Sequence, residues 1–172
     1  MYRVPHIATG DMLREMRELD TPVVRELKAV LDRGDLVNDE LMIDLIRERL
    51  SRGDTLGGFV LDGFPRTMAQ AEALDDLLRE LGRDLDVVFD LQVPERQMLL
   101  ERLLRRAAEE GRSDDTPEAI ERRLELYERE TAPLVDYYRT HRANVVGIHA
   151  DRTVDEVFRE VERSLESVEA RA

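Results

Sequence analysis

The stretch Gly58-Phe59-Val60-Leu61-Asp62-Gly63-Phe64-Pro65-Arg66-Thr67-Met68-Ala69-Gln70 decides how the rest of the chain is read. Phe59 to Leu61 is a short apolar run, the pattern of a buried strand. Asp62 stands where that strand ends. Gly63 and Pro65 punctuate a turn, and Arg66 follows it. Thr67 then opens a helix, with Gln70 three residues on at capping-box spacing. A carboxylate, a guanidinium and a carboxamide are thereby gathered at the C-terminal rim of a strand. That rim is where open α/β sheets bind ligands. An Asp there can hold Mg²⁺ through water, and an Arg forks onto phosphate. Singly, each residue also has an ordinary use: Asp62 in a turn, Arg66 as a solvated charge, Gln70 as the partner of a cap.

The 172 residues are enough for one domain with a sizeable core. Net charge is -13, from 39 acidic against 26 basic residues, a poor match for a nucleic-acid partner. A hydrophobic content of 42% with clear periodicity separates the chain from disordered ones. There is no cysteine, which excludes disulfides and thiolate metal sites. The most apolar run, Val87 to Val93, is too short to span a membrane and is interrupted by Asp90. No basic start followed by an apolar run marks a signal peptide. The expectation is a soluble cytoplasmic protein. Lys28 is the only lysine, so arginine supplies all other fixed basic charge.

Taken in order, Val4 to Ala8 reads as a short strand, and Thr9-Gly10 turns it into a helix reaching about Leu19. Thr21-Pro22 caps a helix that ends at Gly34. Asn38 caps another, running to about Arg52. After the Phe59 strand, the helix from Thr67 stops at Gly82. Asp86 to Val93 is a strand, Pro94 to Glu110 a helix closed by Gly111, and 112–115 a polar loop. Thr116-Pro117 caps a long helix, broken near Pro133 and resuming to about His141. Val145 to Ile148 is the last strand, and Thr153 with Glu156 is a capping box for the terminal helix. Strands alternating with helices predict a parallel sheet covered by helices on both faces, in a single domain over 1–172.

Further clusters carry possible chemistry. Thr9, at a helix start, and Arg14, a turn in, suit a phosphate or base near a helix N-terminus, though a plain cap and solvated Arg fit as well. Asp35, Leu36 and Val37 lie between a helix end and the next cap. Arg102, Arg105, Arg106, Arg112, Arg122 and Arg123 form an arginine set, with Arg102 and Arg106 sharing a helix face. Glu101, Glu109, Glu110 and Glu121 could neutralise them, yet phosphoryl transfer needs such forks around the moving group.

The string from Phe59 to Gln70 resembles the signature of nucleoside monophosphate kinases, and of adenylate kinases in particular. Arg112-Ser113-Asp114-Asp115, Arg122-Arg123-Leu124, Tyr127 and Thr131-Ala132-Pro133-Leu134 resemble the lid region of the short-lid adenylate kinases. The resemblance begins at Tyr2 and covers nearly the whole chain. It implies a P-loop-kinase-like α/β fold, an AMP-binding helical insertion at about 8–37 and a short lid at about 106–115. It assigns AMP to Thr9, Arg14, Asp35, Leu36, Val37, Gly63, Phe64, Pro65, Arg66, Gln70, Arg112 and Arg123, with adenine favoured by Thr9. It assigns ATP to Arg102, Arg106 and Arg152. Catalysis falls to Arg66, Arg106, Arg112, Arg123 and Asp62, with Asp62 orienting the waters of Mg²⁺. Asp114 and Asp115 hold the closed lid. Without a Cys or His set, the lid is not of the zinc-bearing type.

One family feature is missing from these residues. Gly-x-x-x-x-Gly-Lys-Ser/Thr does not occur; Gly53 to Gly58 has the glycine spacing, but Phe59 follows. The sequence therefore predicts a family member without the first central strand and phosphate loop, leaving a slot in the sheet. Lys28 is expected to lie on edge helices, away from the phosphates. The implied reaction is ATP + AMP ⇌ 2 ADP, with activity of this chain impaired. The rivals are a non-catalytic AMP-binding protein and a helix-rich interaction scaffold. An intact fold implies a monomer; unpaired strand edges favour self-association.

Overall fold

The computed structural model describes residues 3–16, 22–112, 114–141 and 144–170. The order is β1 (His6–Ala8), α1 (Thr9–Met16), α2 (Pro22–Asp32), α3 (Asp39–Leu50), β2 (Val60–Asp62), α4 (Met68–Glu80), β3 (Val88–Gln92), α5 (Arg96–Glu110), α6 (Pro117–Leu126), α7 (Leu134–His141), β4 (Val145–His149) and α8 (Val154–Glu169). The caps read from sequence form. Asn38, Thr67, Thr116 and Thr153 each accept from the backbone N–H three residues on, and Thr153 with Glu156 closes the reciprocal box. Gly111 ends α5 in the left-handed conformation that favours glycine. The cap expected at Thr21 and the first helix's end near Leu19 lie outside the described residues.

Three local readings differ. β1 and β3 are shorter than the runs that mark them, because a ladder needs a neighbour at every step, while β2 is shifted one residue on and β4 extends to His149. Gly53–Thr55 forms a 3₁₀ turn that no pattern announced, stapled by Thr55 Oγ1 donating to Leu50 O and Arg52 O, each at 2.8 Å. The break before Pro133 is a π-turn at Tyr127–Thr131, not a plain stop.

Both strand pairings are parallel, as alternating strands and helices require: β1 with β2, and β3 with β4. They form two separate two-stranded sheets, with no ladder between them among the described residues. Val60 on β2 and Leu91 on β3 are 52% and 56% exposed. α4 joins the halves. Its inner face, at helical spacing, buries Leu74, Leu77 and Leu78 in the larger core with Ile7 and Ile46. Its Ala71 belongs to a second core with Leu134 and Tyr138. Buried Asp75 accepts at Oδ2 from Tyr137 Oη at 2.9 Å, which ties α4 to α7. No helix among the described residues is long and apolar enough to cross a membrane.

Candidate nucleotide site

The β1–β2 register places Ala8 opposite Asp62, so the start of α1 abuts the turn after β2. Thr9 is 2% exposed, and its hydroxyl donates to Asp62 O at 3.2 Å and Gly63 O at 3.0 Å. Its proton is thus committed to the turn, and only lone pairs remain for a ligand. Gly63 has φ +75°, and a Cβ there would lie 2.9 Å from Arg66 Nη2 and 3.0 Å from Thr9 Oγ1. Only glycine fits both the conformation and the space. Phe64 is buried, and the Phe64–Pro65 peptide is cis. Arg66 Nε donates to Gly63 O at 2.8 Å, and Thr131 Oγ1 to Arg66 O at 2.9 Å, so the turn and the π-turn aim the guanidinium together.

Gln70 is 2% exposed. Its spacing suggested a capping box with Thr67, but its Oε1 accepts from Arg66 N, one residue earlier, at 2.8 Å. Its Nε2 donates to Asp39 Oδ1 at 2.7 Å, and Thr67 Oγ1 donates to the same oxygen at 3.0 Å. In the sequence Asp39 reads only as a first-turn acid of α3; its bond to Gln70, 31 residues away, lies where no local pattern reaches.

The arginines meet across the α1–α2–α5 region. Asp11, Arg14, Lys28, Glu110, Gly111, Arg112 and Asp114 line an open cleft of about 360 Å³. Lys28 is therefore a correction: it shares a cleft with Arg14 and Arg112 instead of standing apart. Arg14 pairs with Asp11, and Arg112 Nε with Glu110 at 2.5 Å. Arg66, Arg106 and Arg123 all have pKa values below the ordinary arginine value. Desolvation is the first cause for each. Repulsion follows, with Arg123, Arg106 and Arg14 acting on Arg66, and Arg112 and Arg14 on Arg106. Arg66 is nonetheless open to solvent by surface area, and all three stay cationic. Arg106 Nε is buried with no hydrogen-bond partner among the described residues. A net charge of -13 makes this crowding of cations local and specific.

Asp114 and Asp115, each 4% exposed, hold two of these cations. Arg106 Nη2 meets Asp115 Oδ2 at 3.0 Å, Arg123 Nη2 meets Asp114 Oδ2 at 3.0 Å, and Arg123 Nη1 also pairs with Asp115. Arg122 turns away to Asp35 Oδ1 at 3.0 Å. At Gly34, φ +75°, a Cβ would lie 2.4 Å from Ala119 O, so the loop preceding Leu36 and Val37 packs directly on α6.

Arg102 and Arg152 line a second opening of about 520 Å³ between α5 and the start of α8. Arg102 donates to Ala150 O and, at 3.3 Å, to Arg152 O; Arg152 donates to His149 O at 3.1 Å and pairs with Glu160. Arg106 does not line this opening. Arg105 faces Glu109 at 3.9 Å, the local neutralisation its spacing suggests.

No group of three or more His, Cys, Asp or Glu able to hold a metal occurs among the described residues. Asp62 is 65% exposed, and its Oδ2 contacts His6 Nε2 at 3.1 Å. A lone exposed carboxylate beside convergent arginines fits Mg²⁺ held through water and substrate phosphates, not in a protein cage.

Parallel strand–helix units, an acid at a strand's carboxyl end and arginines converging on one cleft define an α/β protein of the phosphoryl-transfer kind. The comparisons narrow this class. A family profile described as "Adenylate kinase" matches residues 1–143. The chain is similar to the adenylate kinase of Cyanothece sp., 52% identical over 136 residues, covering 79% of this chain and 69% of that one. With the adenylate kinase of Xanthomonas campestris pv. campestris (strain B100) it is 40% identical over 164 residues, covering 95% and 87%. With that of Xylella fastidiosa it is 42% identical over 159 residues, covering 92% and 84%. The chain belongs to the adenylate kinase family.

Proposed function

We propose that the chain is a nucleoside monophosphate kinase for AMP, reversibly converting ATP and AMP to two ADP. The observation that supports this best is the mutual crowding of Arg14, Arg66, Arg106, Arg112 and Arg123, with the Arg106 Nε proton left unpartnered among the described residues. Buried donors without acceptors and cations held together against repulsion suit a transferring phosphoryl group. An AMP α-phosphate oxygen attacks the γ-phosphorus of ATP, and the bond to the β-bridging oxygen breaks. No covalent enzyme intermediate is needed, since positioning and charge neutralisation carry the reaction.

In this reading Arg14 and Arg66 hold the AMP phosphate. Thr9 and Gln70 meet the base, which the backbone of Asp35, Leu36 and Val37 flanks, while Gly63, Phe64 and Pro65 shape the turn beneath it. Arg106, Arg112 and Arg123 surround the moving group, and Arg102 and Arg152 serve ATP. Asp114 and Asp115 hold the lid at about 106–115 over the site, and 8–37 forms the AMP-binding insertion. Mg²⁺, when bound with ATP, neutralises phosphate charge, and Asp62 would orient its waters. Lys28 adds a cation to the AMP side.

These 172 residues contain no Gly-x-x-x-x-Gly-Lys loop, the usual cradle for the ATP phosphates. We therefore expect them alone to transfer phosphate slowly, the alternative being an AMP-binding protein without turnover. Losing one preorganised donor costs about 10²- to 10³-fold, and a whole cradle costs more. The test is ADP formation from Mg²⁺, ATP and AMP by this chain, and by the same chain extended before Tyr2 with a strand, phosphate loop and helix. At least about 10²-fold faster turnover by the extended chain is expected. Robust turnover by the 172 residues would overturn the account of the ATP side.

A further inference from the structure

The Gln70 carboxamide lies between two groups of opposite demand. On one side the Arg66 backbone N–H can only donate, and it points at Oε1 from 2.8 Å. On the other, the Asp39 carboxylate can only accept, and it takes a hydrogen from Nε2 at 2.7 Å. Rotating the amide by half a turn would set N–H against N–H and oxygen against oxygen. The orientation follows from these partners, not from the shape of the amide, whose two ends are nearly alike. Asp39 itself is fixed. It sits in the first turn of α3, where a helix N-terminus favours a carboxylate, and Thr67 Oγ1 donates to the same Oδ1. Thr67 Oγ1 in turn accepts from Gln70 N at 3.2 Å. Two helix starts thus share one knot, and Gln70, 2% exposed, has no room to relax out of it.

One N–H and one oxygen lone pair of the amide are left over. A donor beside an acceptor complements a base edge with an acceptor beside a donor, which is N1 and the 6-amino group of adenine. Inosine 5′-monophosphate presents the reverse, N1–H beside a 6-oxo group, and would need the amide flipped. We infer that Asp39 is a positioning residue for base choice, locking the Gln70 amide in the orientation that reads a 6-amino purine and rejects a 6-oxo one. This rests on the AMP reading of the site and deepens it.

The test is calorimetric titration of the chain, its Asp39→Asn variant and its Gln70→Leu variant with AMP and with inosine 5′-monophosphate. Asn is nearly isosteric with Asp and can either donate to or accept from Gln70, so it releases the lock without a cavity. The unmodified chain should favour AMP by about tenfold or more, and Asp39→Asn should shrink that preference about three- to tenfold. Gln70→Leu should remove most of it. A purely structural role for Asp39 would weaken both nucleotides together and leave the ratio unchanged. That outcome, with AMP still bound, overturns the role of Asp39 and spares the AMP site. Failure of the unmodified chain to bind AMP overturns both. A second readout covers a poorly folding variant: in the unmodified, ligand-free chain, one of the two Gln70 side-chain amide protons should resonate downfield of those of exposed glutamines, shifted by the carboxylate. Both protons resonating where exposed glutamines do would contradict the lock.

Discussion

α4 and α5 both follow a parallel strand, and at 13 and 15 residues they are of similar length, yet their surroundings differ sharply. α4 buries six residues, Gln70 and Asp75 among them; α5 buries none. Near the start of α4, the Thr9, Arg66 and Gln70 side chains of the proposed AMP site are each held by a protein partner. Around α5 the leucines are half-covered, with Leu104 43% exposed, and across the second opening Val154 and Phe158 of α8 are 85% and 56% exposed. There Arg102 and Arg152 donate to backbone carbonyls of the β4–α8 connection, not to a preformed site. The difference teaches that the half proposed to bind AMP is organised by its own core. The half proposed to bind ATP is not, and in that reading its donors must exchange partners to act.

The comparison breaks most readily on stability. Leu78→Ala removes a fully buried side chain from the larger core and should cost about 2–5 kcal/mol. Leu104→Ala, on α5, should change stability by less than about 1 kcal/mol. Urea unfolding of both variants reads the contrast, and equal losses would show that the two helices are packed alike.

Next in size is the arginine contrast. The Gly63 turn pre-aims Arg66, whereas Arg105 is exposed and faces Glu109. A charge-assisted fork is worth about 1.5–3 kcal/mol, so Arg66→Ala should weaken AMP roughly 10- to 150-fold. Arg105→Ala should leave AMP affinity unchanged, and equal affinities in the two variants would contradict the assignment.

The smallest effect sharpens the link from the AMP side to α6. Hydrogen bonds from Arg33 first, then Arg122, hold the Asp35 carboxyl below its ordinary pKa of 3.8. A depressed folded-state pKa adds stability above the unfolded value, and this is lost as pH falls through the lower folded one. Both side chains are partly exposed, so solvent screening keeps the pair's contribution small. Asp35→Asn should therefore destabilise slightly at pH 7, with the difference shrinking as pH falls through the lowered folded-state pKa. Denaturant midpoints followed from pH 7 into the acid range check the sign.

What the sequence made legible was local. Asn38, Thr67, Thr116 and Thr153 betray helix starts because a cap and its partner lie within four residues. Gly63 and Gly111 betray turns because few other residues adopt their conformations. The parallel pairing followed from alternation, but the short strands and the two separate sheets did not, since ladder length depends on neighbours far along the chain. For the same reason Gln70 was visible while its bond to Asp39 was not, and Lys28 was set apart from a cleft it helps to line. The Arg122–Asp35 pair spans 87 residues and leaves no mark on either local pattern.

The central claim, an AMP site built on Arg66 and Gln70, is tested most directly by calorimetric titration of the 172-residue chain with AMP, CMP and UMP. The account predicts saturable binding of AMP at one site and at least about tenfold weaker binding of both pyrimidine nucleotides, because uracil presents a donor beside an acceptor, the reverse of adenine, and cytosine carries adenine's pattern on a smaller, single ring. Comparable affinity for all three, or no binding of AMP, would contradict it.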